Sequence, residues 1–255
     1  MALSQRSQRV TTPLHVVPPK RLDELQNLLS VRFIDTALLA EALMHPSYRS
    51  ERKDKEYAAT QERVEFIGDR IISLRVALYL HRFYQDRNPS FVTQVSSEVV
   101  SNRTFAGIAE KIGLPPFIVM GPEKRKDFLA GNEAIRLHAL SCTFEAIVGA
   151  LFLDRGMRPV EPFLKRHLYP SIEDIIIRKL YIAPKTRLQD LLQAEGAANL
   201  FYRTLQVSPP SAREAVFSTS VFLKGVLLGE GTGGTKKAAE TSAAEDALQG
   251  LESRP

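Results

Sequence analysis

This chain of 255 residues is poor in cysteine, in long apolar runs and in unbalanced charge. Its one cysteine, Cys142, rules out an intrachain disulfide and fits a reducing compartment. No apolar run approaches the roughly 18 residues that a membrane-spanning helix needs, so no membrane span is expected. The net charge is only +5, and its distribution is uneven. Residues 1–22 carry Arg6, Arg9, Lys20 and Arg21 without an acid, a local +4. Residues 184–255 balance eight basic against eight acidic side chains, leaving +1 for residues 23–183. Overall charge therefore does not establish nucleic-acid binding, and any RNA contact must come from local clusters.

What the chain does have is a change of periodicity. Residues 23–180 read as helical, without strand alternation. Leu22, Leu25, Leu28 and Leu29 recur at helical spacing, as do Leu38, Leu39, Ala42 and Leu43. A long helix is expected from Glu62 to Tyr84, with Val64, Ile67, Ile71, Leu74 and Leu78 as its stripe. Phe91–Ile112 reads as one or two helices, broken by Gly113-Leu114-Pro115-Pro116. The charged, glycine-containing stretch Gly121–Glu133 reads as a loop. A helix over Arg136–Leu153 follows. After Ala183-Pro184 a short helix, Thr186–Ala194, precedes three strand candidates, Phe201–Val207, Val216–Leu223 and Val226–Gly231. Lys224-Gly225 is the hairpin turn between the last two. Thr235 is placed to cap a last helix from Lys236 to Leu251, with Ala239, Ala243 and Ala247 on one face. The order α-β-β-β-α gives a small sheet with two helices on one face. Three segments result: 1–22, a basic tail or targeting segment; 23–180, the helical domain; and 184–252.

Chemistry concentrates in two helices. Glu65 and Asp69 are four apart, and Cys142 and Glu145 three apart, so each pair shares a helix face. Two helices presenting such pairs to one another could hold a hard divalent cation through oxygen, as Mg2+ prefers, and such an ion activates water. The plain alternative is a set of solvated acids paired with Arg63 and Arg70. In the last segment, Lys236 and Lys237 open a helix, where their charge and the helix N-terminus both favour phosphate.

The run Gln61-Glu62-Arg63-Val64-Glu65-Phe66-Ile67-Gly68-Asp69 resembles the signature of the ribonuclease III family. Leu43-Met44-His45-Pro46-Ser47-Tyr48 and Phe144–Asp154 resemble two further motifs of that family, in order and at similar spacing. The resemblance implies an all-helical ribonuclease III-type domain that dimerises with itself or a related subunit. It implies Glu65, Asp69, residue 142 and Glu145 as metal ligands, with Glu62 as a supporting carboxylate. The departure is Cys142, where the family has aspartate or sometimes asparagine. Sulfur is a poor ligand for Mg2+. Arg70 is a second departure, a guanidinium where a small or apolar residue is usual. Residues 184–251 resemble a double-stranded RNA-binding domain, through Pro184–Gln189 and Lys236–Ala244. That implies RNA contacts from Lys185, Gln189, Gln193, Lys236 and Lys237, with Arg213 in place of the usual histidine of the β1–β2 loop.

Cys142, Arg70 and the basic N-terminus lead to an expected non-catalytic RNA-binding protein with no cofactor. It would sit in the mitochondrial matrix, within a large ribosomal subunit, with ribosomal RNA and ribosomal proteins as partners. The alternative is a Mg2+-dependent endoribonuclease of the cytoplasm or nucleus acting on double-stranded RNA. It keeps Glu62, Glu65, Asp69 and Glu145, with water or Asp154 compensating for residue 142.

Overall fold

Helix boundaries follow local capping chemistry. A computed structural model of the chain describes residues 16–51, 60–194, 199–209 and 215–252. The described residues form two compact units that divide between Ile175 and Ile176. In the first unit, α1 (Pro19–Leu29), α2 (Thr36–Ala42) and α3 (Pro46–Ser50) precede the long α4 (Glu62–Phe83). Then come α5 (Pro89–Val99), α6 (Asn102–Ile112), a 3-10 turn (Pro115–Phe117), α7 (Pro122–Leu129) and α8 (Glu133–Arg155). The unit closes with α9 (Met157–His167) and most of α10 (Tyr169–Ile177). Asp35, Asn88, Ser101 and Asn132 are N-caps whose side chains accept from backbone amides two or three residues ahead. They fix where α2, α5, α6 and α8 begin.

The core is built around α8, which packs on α2, α4, α6 and α9. Phe144 is fully buried there, with the Phe105 ring at 5.4 Å and the Phe163 ring at 5.9 Å. Helix α8 is long and apolar enough to cross a membrane by length and composition, yet most of it is buried inside this unit. That marks the central helix of a packed domain, apolar all round because it is surrounded. Tyr79 and Tyr84 donate to the Glu173 carboxylate at 2.5 and 2.9 Å, tying the end of α4 to α10.

Three expectations need correction. Gly121–Glu133 is not a loop, since Pro122–Leu129 is helical. The Glu51 carboxylate, from just beyond α3, accepts from the Glu123 and Lys124 amides at 2.8 and 3.3 Å, and Phe128 is buried. This cap is tertiary, so no local pattern announces it. The buried stripe of α4 is also different. Val64, Gly68, Ile72, Val76 and Leu80 recur at four-residue spacing and face the core. Leu74 and Leu78 are 53 % and 45 % exposed. Finally, Lys20 and Arg21 belong to α1 rather than to a tail. Arg21 donates to the Pro116 carbonyl and lies over the Phe117 ring. Residues 1–15 lie outside the described residues.

In the second unit α11 (Pro184–Ala194) precedes β1 (Leu200–Gln206), β2 (Phe217–Leu223) and β3 (Val226–Gly233), and α12 (Lys236–Glu252) follows. The sheet is antiparallel in the order β1-β2-β3. Leu188 and Leu192 of α11, Val221 of β2 and Ala243, Ala244, Ala247 and Leu248 of α12 form the core. Lys224 and Gly225 both have positive φ, 49° and 84°, as the two-residue turn of a twisted hairpin requires. Thr235 caps α12, its hydroxyl accepting from the Ala238 amide at 3.1 Å.

Candidate active site and RNA-binding face

Two glycines set the geometry of the carboxylate site. A Cβ on Gly68 of α4 would run into the Glu145 carbonyl of α8, and one on Gly149 would run into the Val64 carbonyl. The two helices therefore cross in backbone contact. Glu65, one turn before Gly68, is brought against Glu145, one turn before Gly149. Ligand atoms of Glu65, Cys142 and Glu145 all lie within 4.8 Å of one another. Buried Gln61 braces this crossing. Its amide donates to the Met44 carbonyl at 2.9 Å, and its side-chain oxygen accepts from the Thr143 hydroxyl at 3.2 Å.

The electrostatics are those of a crowded anionic pocket. Burial first, then the charges of Glu65 and Asp69, push the Glu145 carboxyl up to about 8. Burial first, then Glu65 and Glu145, push the Cys142 thiol well above its ordinary value. Cys142 is buried, and its Sγ lies 3.5 Å from His138 Nδ1, one turn back on α8.

Not every predicted residue converges. Asp69 lies close enough for its charge to act on Glu145, but it pairs with Arg70 at 3.1 Å and receives the Ser73 hydroxyl at 3.5 Å. Arg70 is largely exposed and lies over the Phe66 ring at 5.3 Å. Its link to the site is this pairing with Asp69. Glu62 stands outside this group of three, accepting from the Thr60 hydroxyl at 2.8 Å and meeting Arg49 at 3.6 Å. Asp154 cannot replace residue 142. It lies twelve residues further along α8, about 18 Å by helical rise, and it accepts from the Ile34 and Asp35 amides at 3.0 and 2.8 Å.

The His45-x-Ser47 segment proves to be a structural latch. Burial first, then His138 and Lys124, lower His45 to about 4, so its ring is neutral at neutral pH. Its Nδ1 accepts from the Ser47 amide at 3.1 Å, capping α3. The Ser47 hydroxyl accepts from the Gly121 amide at 3.1 Å, which anchors the entry to α7. Sequence reasoning missed His138, although its spacing of four from Cys142 on one helix was a usable signal.

In the second unit Gln189 and Gln193 are exposed one turn apart on α11. Lys236 and Lys237 are exposed at the start of α12. Lys185 is partly exposed and pairs with Glu240 at 2.7 Å, its ammonium 4.6 Å from the Tyr202 ring. Arg213 lies outside the described residues.

Comparison with known proteins agrees with this fold. The Ribonuclease-III-like family profile matches residues 35–172, and the double-stranded RNA binding motif matches residues 184–251. Ribonuclease 3 of Bacillus licheniformis is 32 % identical over 233 residues, covering 91 % of each chain. Ribonuclease 3 of Clostridium beijerinckii is 35 % identical over 233 residues, covering 91 % of this chain and 97 % of its own. The crystallised nuclease domain of Campylobacter jejuni ribonuclease III is 28 % identical with a TM-score of 0.50, covering 60 % of this chain and 96 % of its own. A second structure of that domain concerns flexibility in a region involved in its dimer formation. It is 27 % identical with a TM-score of 0.50, covering 58 % of this chain and 99 % of its own. The chain belongs to the ribonuclease III family. It joins that family's helical nuclease-type domain to a double-stranded RNA-binding motif, and RNA is its partner.

Proposed function

We propose that the chain is a metal-dependent endoribonuclease that binds and processes double-stranded RNA. The observation that carries this reading is the backbone-tight α4–α8 crossing, which presses Glu65 and Glu145 together at the cost of holding Glu145 near pKa 8. A fold kept only for binding RNA gains nothing from that repulsion. Relatives named Ribonuclease 3 match along nine tenths of the chain, which favours processing over a purely structural ribosomal role.

The residues present fit a divalent cation as a class. Glu65 and Glu145 would hold it, with Asp69 joining if it leaves Arg70. Mg2+ finds oxygen at these corners but not at Cys142. When bound, such an ion supplies an acidified water and neutralises phosphate charge. The protein's own contributions are separable. Gln61 and the two glycines fix the carboxylates. Exposed Lys236 and Lys237, at the start of α12, attract backbone phosphate, and Gln189 and Gln193 offer amides to the 2′-hydroxyls of the minor groove. Phe66, Leu74 and Leu78, exposed on one stripe of α4, supply an apolar face for a second copy of the chain.

The test is long double-stranded RNA incubated with the purified chain and, separately, Mg2+, Mn2+, Co2+ or Zn2+. Cutting is expected with at least one ion, and Glu145→Gln is expected to bind the duplex without cutting it. Duplex binding with no cutting in any ion, while Cys142→Asp cuts in Mg2+, would establish a decayed site instead.

A further inference from the structure

We infer that Cys142, His138, Glu65 and Glu145 form a binding site for a thiophilic divalent cation of the zinc class, Zn2+ or Co2+, in preference to Mg2+. The inference rests on the reading of this pocket as a metal site and names the ion it selects.

The first argument is the donor set. Sulfur, nitrogen and carboxylate oxygen are the three ligand types that zinc accepts, whereas magnesium takes oxygen. The second is spacing. His138, Cys142 and Glu145 stand at i, i+4 and i+7 on α8, one helix face, and Glu65 enters from α4. The third is distance. Thiolate and imidazole bound to one tetrahedral ion at zinc's usual bond lengths lie about 3.6 Å apart. Cys142 Sγ and His138 Nδ1 are 3.5 Å apart. Glu65, Cys142 and Glu145 already converge to within 4.8 Å; His138 stands outside that group and joins it through Cys142 by a turn of its ring. The fourth is rigidity. The Gly68–Gly149 contact holds Glu65 on one helix against Cys142 and Glu145 on the other. Those three donors are thereby organised before an ion arrives.

The same 3.5 Å separation also suits a thiol-to-imidazole hydrogen bond, so spectroscopy must separate the two. The full-length protein, stripped with chelator, would be titrated with Co2+. The expected result is one equivalent bound, with the visible bands of a tetrahedral ion and a near-ultraviolet thiolate-to-cobalt charge-transfer band. Zn2+ should bleach both, and an excess of Mg2+ of about 100-fold should not. Cys142→Ser should lose the charge-transfer band. His138→Ala should weaken Co2+ binding by at least about tenfold, or 1.4 kcal/mol. Cys142→Asp should let Mg2+ compete with Co2+. Far-UV circular dichroism checks that each variant is folded. Absence of the charge-transfer band at saturating Co2+, its persistence in Cys142→Ser, or ready displacement by Mg2+ would overturn the proposal. The outcomes are independent of those for RNA cleavage. A cobalt–thiolate band in a protein that cuts no RNA sustains this site and removes the nuclease reading. Cutting in Mg2+ without the band does the reverse.

Discussion

Replacing Glu145 by glutamine should stabilise the metal-free protein, and do so only at high pH. The folded-state carboxyl is raised from its ordinary 4.5 to about 8, by burial and by its anionic neighbours. Between those values the folded chain holds a proton that the unfolded chain releases. Stability is therefore fully present below about pH 4.5, falls as pH rises, and levels off above about pH 8. At 1.36 kcal/mol per unit the whole shift would be worth about 5 kcal/mol. Solvent reaches part of the group, so we halve it to about 2–3 kcal/mol. Glutamine keeps the shape and loses the charge. The variant should gain about 2–3 kcal/mol at pH 9, and little at pH 5, where Glu145 is already protonated. The chain has no tryptophan, so urea unfolding would be followed by far-UV circular dichroism in chelator, wild type beside variant. Titrating groups outside the pocket cancel in that difference. Equal stability at pH 9, or a gain that is the same at pH 5, would refute the account of a strained anionic pocket.

Other perturbations separate structural from chemical roles. Gly68→Ala, whose Cβ would meet the Glu145 carbonyl, should lower stability by about 3 kcal/mol, the upper end of ordinary overpacking. The urea midpoint is the readout. Asp154→Ala removes the acceptor of the Ile34 and Asp35 amides and should cost about 2 kcal/mol. Calorimetric ion binding at the α4–α8 pocket should not change. Replacing Lys236 and Lys237 together by alanine should flatten the log–log salt dependence of duplex binding by about 2, roughly one unit per phosphate contact. Fluorescence anisotropy of labelled duplex RNA measures that slope.

The second unit was legible almost residue by residue because its signals are local. Alternation marks the strands, Lys224-Gly225 turns the hairpin, and Thr235 starts the last helix within a few residues of its own position. The helical unit was legible as a class, and its ribonuclease III-type architecture is the one the motifs implied. Its details were less so, for two physical reasons. Helix α4 carries apolar residues on more than one face, so periodicity alone could not say that Val76 and Leu80 point inward while Leu74 and Leu78 point out. Helix α7 is begun by Glu51, more than seventy positions earlier in the chain, and a remote cap leaves no trace in its own segment.

The pocket shows the same division between spacing and side-chain direction. Spacings of three and four placed Glu65, Asp69, Cys142 and Glu145 on facing helix surfaces, yet could not foretell that Asp69 would pair with Arg70 and stand outside the converging group. Nor could they weigh Cys142. Read against magnesium, a cysteine at this corner is only a missing oxygen. Beside His138, one turn back on the same helix, it is a donor with a partner at the separation a tetrahedral ion requires. Loss of an oxygen ligand and gain of a sulfur ligand are one substitution with opposite consequences for hard and soft ions. The competition between Mg2+ and Co2+ in Cys142→Asp therefore tests function more sharply than loss of cleavage. A decayed site would bind neither ion well in the wild type, whereas a converted one exchanges one preference for the other.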